Sequence, residues 1–329
     1  MQGRSSLRPI FIFSLPRSGS TLLQRILASH SRIDTSPEPW ILLPVTTTFC
    51  DGLQFGEYGH IPARKAIHNF IERTQKGASA FRAAIRQFGM TLYEHAADES
   101  VTHFIDKTPR YHLIVDEILG AFPNAKFIFL WRHPLSVVTS ISETWANGSL
   151  KLGHYRVDLF KGLSKLVDAS QESSPEKVHT VRYRDLAKTS EYEVRKLFEY
   201  IGLDYECKVL KEFTSVKTGE KFGDQSGKKR FDEISDASVD NWKKKISNVT
   251  QKKWCEGYLE WIGKERMNKM GYNYEKTKSD LAGLKVGVKG TVADALYVVY
   301  DKVRPWIHAP INKIYLDRIS KNMNIYDVH

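Results

Sequence analysis

Within six positions, Pro16-Arg17-Ser18-Gly19-Ser20-Thr21 gathers three hydroxyl donors, a guanidinium and a glycine. An apolar run precedes this segment and a helical pattern over 21–30 follows it, so it joins a buried strand to a helix start. Backbone N–H groups at a helix start face outward, and the helix dipole favours negative charge there. Arg17 adds a charged fork, and Ser18, Ser20 and Thr21 add O–H donors. The combination suits a phosphate or a sulfate. It departs from the Walker phosphate loop, whose second Gly is followed by Lys; here Ser20 follows Gly19 and the first Gly is missing. On these residues alone, a Ser/Gly-rich cap of an ordinary helix accounts for the segment equally well.

Other reactive side chains also sit at run ends or in loops. Arg132 closes the apolar run 126–131, Pro134 opens a helix, and Ser140 lies two turns along it. Unaided, that pair reads as an ion-pairing arginine and a surface hydroxyl. Glu38 sits between Pro37 and Pro39 and beside Trp40, 21 positions after Arg17. Lys107 follows the short run 103–105 in Asp106-Lys107-Thr108-Pro109-Arg110. Tyr183 ends the run 178–183 in Val181-Arg182-Tyr183-Arg184-Asp185-Leu186. A Gly/Ser/Lys/Asp-rich stretch, 215–240, carries Lys228 and Lys229, with Lys243 just beyond. For Glu38, Lys107 and the later lysines the plain alternative is a solvated charge. His30, His103, His112 and His133 match no catalytic spacing and read as structural. Nothing has the spacing of metal ligands or of a Ser-His-Asp set, so no metal is expected.

Together these segments resemble sulfotransferases that use 3′-phosphoadenosine 5′-phosphosulfate, in particular bacterial sulfotransferases related to the tyrosylprotein branch. Pro16–Thr21 is similar to the family's 5′-phosphosulfate loop, which implies that Arg17, Ser18, Gly19, Ser20 and Thr21 hold the 5′-phosphate and sulfuryl group. The family carries the donor's 3′-phosphate on an Arg after a strand and a Ser eight residues later, which implies that role for Arg132 and Ser140. The resemblance implies that Glu38, at matching spacing, is the general base. It also implies that Lys107, similar to the Lys of a Lys-Asp-Pro segment, stabilises the leaving phosphate, with Arg110 on the acceptor side. Thr108 stands where the family has Asp. Tyr183 falls in a segment similar to Tyr-Glu-Asp-Leu, near the adenine. A basic late loop over the 3′-phosphate implies Lys228 and Lys243 as donor contacts. The cofactor implied is 3′-phosphoadenosine 5′-phosphosulfate, with 3′-phosphoadenosine 5′-phosphate as product and no metal.

These residues need a scaffold. The short apolar runs 9–15, 103–105, 126–131 and 178–183 read as buried strands. Helical patterns cover 21–30, 63–97, 111–121, 134–146 and 155–170, then 191–201 and 251–269. Strands alternating with helices predict an α/β fold, a P-loop-like doubly wound parallel sheet with helices on both faces. Ligands bind such sheets at the carboxyl ends of the strands. The resemblance covers about 9–275, so the expected division is a sulfotransferase domain over 1–275 and a C-terminal extension over 276–329.

The 329 residues carry 49 Lys+Arg against 38 Asp+Glu, a formal charge of +11 that predicts an anionic partner. Cys50, Cys207 and Cys255 are too few and too scattered for a disulfide framework. No apolar run reaches bilayer-spanning length and none forms a signal-peptide core, so the expected location is cytoplasmic. In the extension Leu281, Leu284, Val288, Val292, Leu296 and Val299 recur at helical spacing among basic residues. That stripe predicts docking on the body or a second subunit, or lying on the inner membrane surface. The acceptor expected is a carbohydrate, since Trp40, Phe49, Phe55 and Tyr58 place aromatics near Glu38; a tyrosine or other phenol is the alternative. A P-loop kinase lacks its lysine, and a non-catalytic nucleotide-binding module would explain the charge alone. No nucleic-acid motif is present.

Overall fold

The computed structural model describes residues 7–48, 60–172, 176–216 and 239–303. Five strands form one parallel sheet in the order β2-β3-β1-β4-β5: β1 (Arg8–Phe13), β2 (Ile33–Thr35), β3 (His103–Asp106), β4 (Lys126–Trp131) and β5 (Val178–Arg182). Both faces are covered, as parallel strands require. The period of two sorts the side chains. Phe11, Phe13, Phe127, Phe129 and Trp131 face one core with Tyr93, Phe122 and Leu135. Ile10, Ile12, Ile128 and Leu130 face the other, against Leu22, Ile26, Leu197 and Phe198.

The doubly wound sheet expected from the sequence is present, with one strand added and several helices redrawn. β2 is only three residues long and lies at the sheet edge. The pattern over 63–97 is two helices, His60–Glu72 and Ala78–Ala96, because the chain turns at Gly77 with φ +50°. The patterns at 111–121 and 155–170 begin in tighter and wider turns, Pro109–Leu113 and Val157–Gly162, before becoming α-helical.

Between residues 275 and 303 the chain stays against the body. Helix Tyr274–Ala282 is capped by the Asn273 side chain and buries Leu281. Thr277 Oγ1 lies 3.1 Å from His133 Nε2, and Lys243 Nζ lies 2.7 Å from Asp280 Oδ2. The stripe beginning at Leu281 is therefore split. Residues 283–290 are not helical, and a separate helix spans 291–303.

Candidate active site

Every strand delivers something to the same edge of the sheet. Loop 14–19 leaves β1, Glu38 lies past β2, Lys107 follows β3, Arg132 follows β4 and Tyr183 follows β5. With strand order 2-3-1-4-5 the chain reverses direction across the sheet around β1, where such folds open a ligand crevice.

The first loop is built by backbone. Arg17 at φ +66° and Gly19 at φ +94° are both left-handed, and helix Ser20–Ala28 starts directly after them. Such an alternation turns successive N–H groups into one concavity that accepts an anion. Ser18, Ser20 and Thr21 are buried there. Gly19 is obligatory for a second reason: a Cβ would lie 2.5 Å from Tyr183 Cδ2. The other contacts tie this loop to the second expected anion site. Arg132 Nη1 donates to the Arg17 carbonyl oxygen at 2.6 Å, and its guanidinium carbon lies 4.9 Å from the Tyr183 ring centre. Arg17 Nε donates to Ser140 Oγ at 3.5 Å. Arg17, Ser18, Gly19, Ser20, Thr21, Arg132, Ser140 and Tyr183 thus form one cluster, with Tyr183 packed between Gly19 and Arg132. Nearly every polar side-chain group in it is a cationic or hydroxyl donor, the chemistry an oxyanion needs.

Beside the cluster, Lys107 Nζ donates to Glu38 Oε1 at 2.8 Å and Trp40 Nε1 donates to Glu38 Oε2 at 3.3 Å. Lys107 is buried and the Glu38 side chain nearly so. Trp40 holds a left-handed φ of +58° and leaves 39% of its surface exposed.

Behind this pair lies a carboxylate to which the sequence analysis assigned no role. Asp106 is fully buried; Tyr93 and Tyr111 donate to its Oδ2 at 2.6 and 2.9 Å, and Thr108 donates to Oδ1 at 3.0 Å. Burial pushes its carboxyl up from 3.8 to about 6, against the opposing pull of the three hydroxyls and the Lys107 charge. Two of those hydroxyls also accept from the loop that carries Glu38. The Trp40 N–H reaches Thr108 Oγ1 at 3.4 Å and the Leu42 N–H reaches Tyr111 Oη at 3.2 Å. Thr108 therefore bonds Asp106 and loop 38–42 at once. The only sequence signal was an acid directly preceding the strand-end lysine.

On the far side, Asp158 is buried against His112 Nε2 at 2.7 Å and Arg110 Nη2 at 3.2 Å. The Tyr155 ring stacks on Trp145 at 4.9 Å, and the Arg17 guanidinium lies 5.6 Å from the centre of the Trp145 ring. Trp145, 45% exposed, thus stands at the edge of the anion cluster. Lys243 lies on helix Trp242–Lys245 and is engaged by Asp280. Lys228 and Lys229, like Phe49, Phe55 and Tyr58, fall outside the described residues. His30 is buried and His133 half-buried; both are hydrogen-bonded, the latter also stacked on Trp242. Among the described residues no group of three or more His, Cys, Asp or Glu side chains is placed to hold a metal ion.

Comparison with known proteins agrees with the fold. Residues 9–207 match the model of the sulfotransferase family. Nodulation protein NoeE of Sinorhizobium fredii is 23% identical over 300 residues, covering 83% of this chain and 68% of that protein. A protein-tyrosine sulfotransferase of Drosophila melanogaster is 22% identical over 216 residues, covering 64% of this chain and 41% of its own length. The solved sulfotransferase domain from the curacin biosynthetic pathway shares the fold with a TM-score of 0.53 at 24% identity, over 81% of this chain and 98% of that one. The crevice therefore lies within the matched segment, and the chain belongs to the sulfotransferase family.

Proposed function

We propose that the protein transfers a sulfuryl group from 3′-phosphoadenosine 5′-phosphosulfate to an acceptor hydroxyl, without a metal. The observation that carries this is the convergence of the Arg17–Thr21 loop, Glu38, Lys107, Arg132 and Tyr183 from five strand ends onto one crevice. The donor supplies the activated sulfuryl group and a phosphate leaving group. Loop 17–21 binds its 5′ end through N–H and O–H donors, and Arg132 with Ser140 binds the 3′-phosphate. Tyr183 braces both sites. Glu38, oriented by Lys107 and Trp40, keeps lone pairs on its oxygens to take the acceptor proton. Lys107 supplies positive charge where charge develops on the leaving oxygen.

The acceptor class we propose is a carbohydrate. Trp40 and the Trp145–Tyr155 stack offer exposed aromatic faces on either side of the site, suited to the C–H face of a sugar ring, and Arg110 adds a donor. A phenolic acceptor is the second reading, favoured by the likeness to a protein-tyrosine sulfotransferase. The catalytic domain proposed is 1–275, with 276–329 as an extension, and the proposed location is the cytoplasm. Offering labelled donor to pools of glycans, lipids and phenols tests the acceptor. Label in the glycan pool is expected; label in the phenol pool alone would select the second reading.

A further inference from the structure

The helix over 291–303 is attached to the body by its polar side. Asp294 is buried and accepts from the Leu150 N–H at 2.7 Å, from Asn248 Nδ2 at 2.7 Å and from Gln251 Nε2 at 2.9 Å. Thr250 Oγ1 donates to the Thr291 carbonyl oxygen at 3.0 Å, and Val298 packs against the large core. These contacts fix the rotation of the helix, and the side they leave outward is apolar. Val292 is 74% exposed and Leu296 66%, in line along the helix with Val299 and Val303, and Val288, in the turn just before the helix, is exposed too. This inverts the usual order for a surface helix, whose apolar stripe faces inward.

The charges around the stripe select what covers it. Lys285, Lys289 and Lys302 are all exposed, whereas the acids of 283–303 are Asp294, buried, and Asp301, half-buried. A two-fold pairing of this face with a second copy would set the same lysines against one another. The chain's own residues 304–329 carry four Lys+Arg and two Asp, so they bring no net negative charge to these lysines. An anionic lipid surface supplies both an apolar interior for the valines and leucine and opposite charge for the lysines.

We infer that this face, Val288 to Val303 with Lys285, Lys289 and Lys302, docks the protein on an anionic membrane surface. The attachment is peripheral; among the described residues no helix is long and apolar enough to cross a bilayer. It is independent of the sulfuryl-transfer reading, because none of these residues belongs to the crevice.

The full chain is sedimented with vesicles of phosphatidylcholine, with or without phosphatidylglycerol. It should pellet with the anionic vesicles only, and less as salt is raised. Val292→Glu/Leu296→Glu, both at exposed positions, should abolish pelleting, while Lys285→Gln/Lys289→Gln/Lys302→Gln should weaken it on the order of a hundredfold. Unchanged far-ultraviolet circular dichroism and an unchanged melting temperature certify that the variants are folded. Failure of the wild type to pellet, or pelleting that these variants do not alter, overturns the inference. So does a dimer in ultracentrifugation that Leu296→Glu dissociates, which would assign the face to a second copy.

Discussion

Replacing Gly19 by Ala tests how the donor loop and Tyr183 are fitted together. The substitution has two separable costs. A left-handed backbone at φ +94° costs a residue with a side chain about 1–2 kcal/mol. In addition the new methyl would stand 2.5 and 2.7 Å from two Tyr183 ring carbons, well inside ordinary van der Waals contact. The ring cannot simply rotate away, because its face lies against Arg132. Overpacking of this kind costs about 1–3 kcal/mol. Together Gly19→Ala should destabilise by about 2–5 kcal/mol and lower the melting temperature by roughly 3–7 °C. Displacing Tyr183 also disturbs Arg132 and its bond to the Arg17 carbonyl, so affinity for 3′-phosphoadenosine 5′-phosphate should fall at least about tenfold, or about 1.4 kcal/mol. Calorimetry and thermal melts of Gly19→Ala, Tyr183→Ala and the double variant complete a cycle. Removing the ring cancels the overpacking and leaves the backbone cost, so the double variant should be more stable than the sum of the singles by about 1–3 kcal/mol. Strictly additive stabilities, or a Gly19→Ala protein with unchanged melting and binding, would refute the packing account.

Other consequences are equally direct. Glu38→Gln should lower kcat about 10²–10⁴-fold and Lys107→Ala about 10²–10³-fold, with donor affinity nearly intact; full turnover in either removes that residue's role. Trp145→Ala should raise the acceptor KM about tenfold while weakening donor binding at most about fivefold through the lost contact with Arg17; an unchanged acceptor KM would take the aromatic stack out of the acceptor site. Acid stability should show opposing signs. His103 and His133 are held down to about 4 by burial, so folding loses stability as pH falls from 6.5 towards 4. Asp106, raised to about 6, binds its proton more tightly when folded, so it contributes stability below 3.8 that is lost as pH rises through 6. Asp106→Asn should therefore steepen the loss on acidification between pH 6 and 4, by up to about 3 kcal/mol in urea titrations, and parallel curves would contradict the assigned burial.

How far the sequence disclosed this site depends on the element. Of the strands it marked, β1 and β4 carry nearly unbroken apolar runs buried on both faces, while β5 mixes Val178 and Val181 with polar residues; each of the three ends at a residue of the crevice: the loop after Phe13, Arg132 after Trp131, Tyr183 after Arg182. β2 escaped because Ile33-Asp34-Thr35 has one apolar residue and two polar ones; its strand character comes from pairing with β3, a long-range contact. The loop that bears Glu38 was recognised by its composition, but what holds it was not. Its anchors, Asp106, Thr108 and Tyr111, act through a buried network, and periodicity carries no signal for such a network. Residues 281–299 are the opposite case. Their apolar spacing is regular in sequence, yet Leu281 enters the core and Val292 faces outward, because the chain breaks at 283–290 and Asp294 fixes the next helix.

The central claim is that one crevice binds both phosphate ends of the donor. Isothermal titration with 3′-phosphoadenosine 5′-phosphate in the presence of a chelator addresses it most directly. The structure predicts one site per chain without magnesium, with binding weakened at least about a hundredfold by Arg17→Ala and by Arg132→Ala separately. No binding, binding that requires magnesium, or affinity indifferent to either arginine would contradict it.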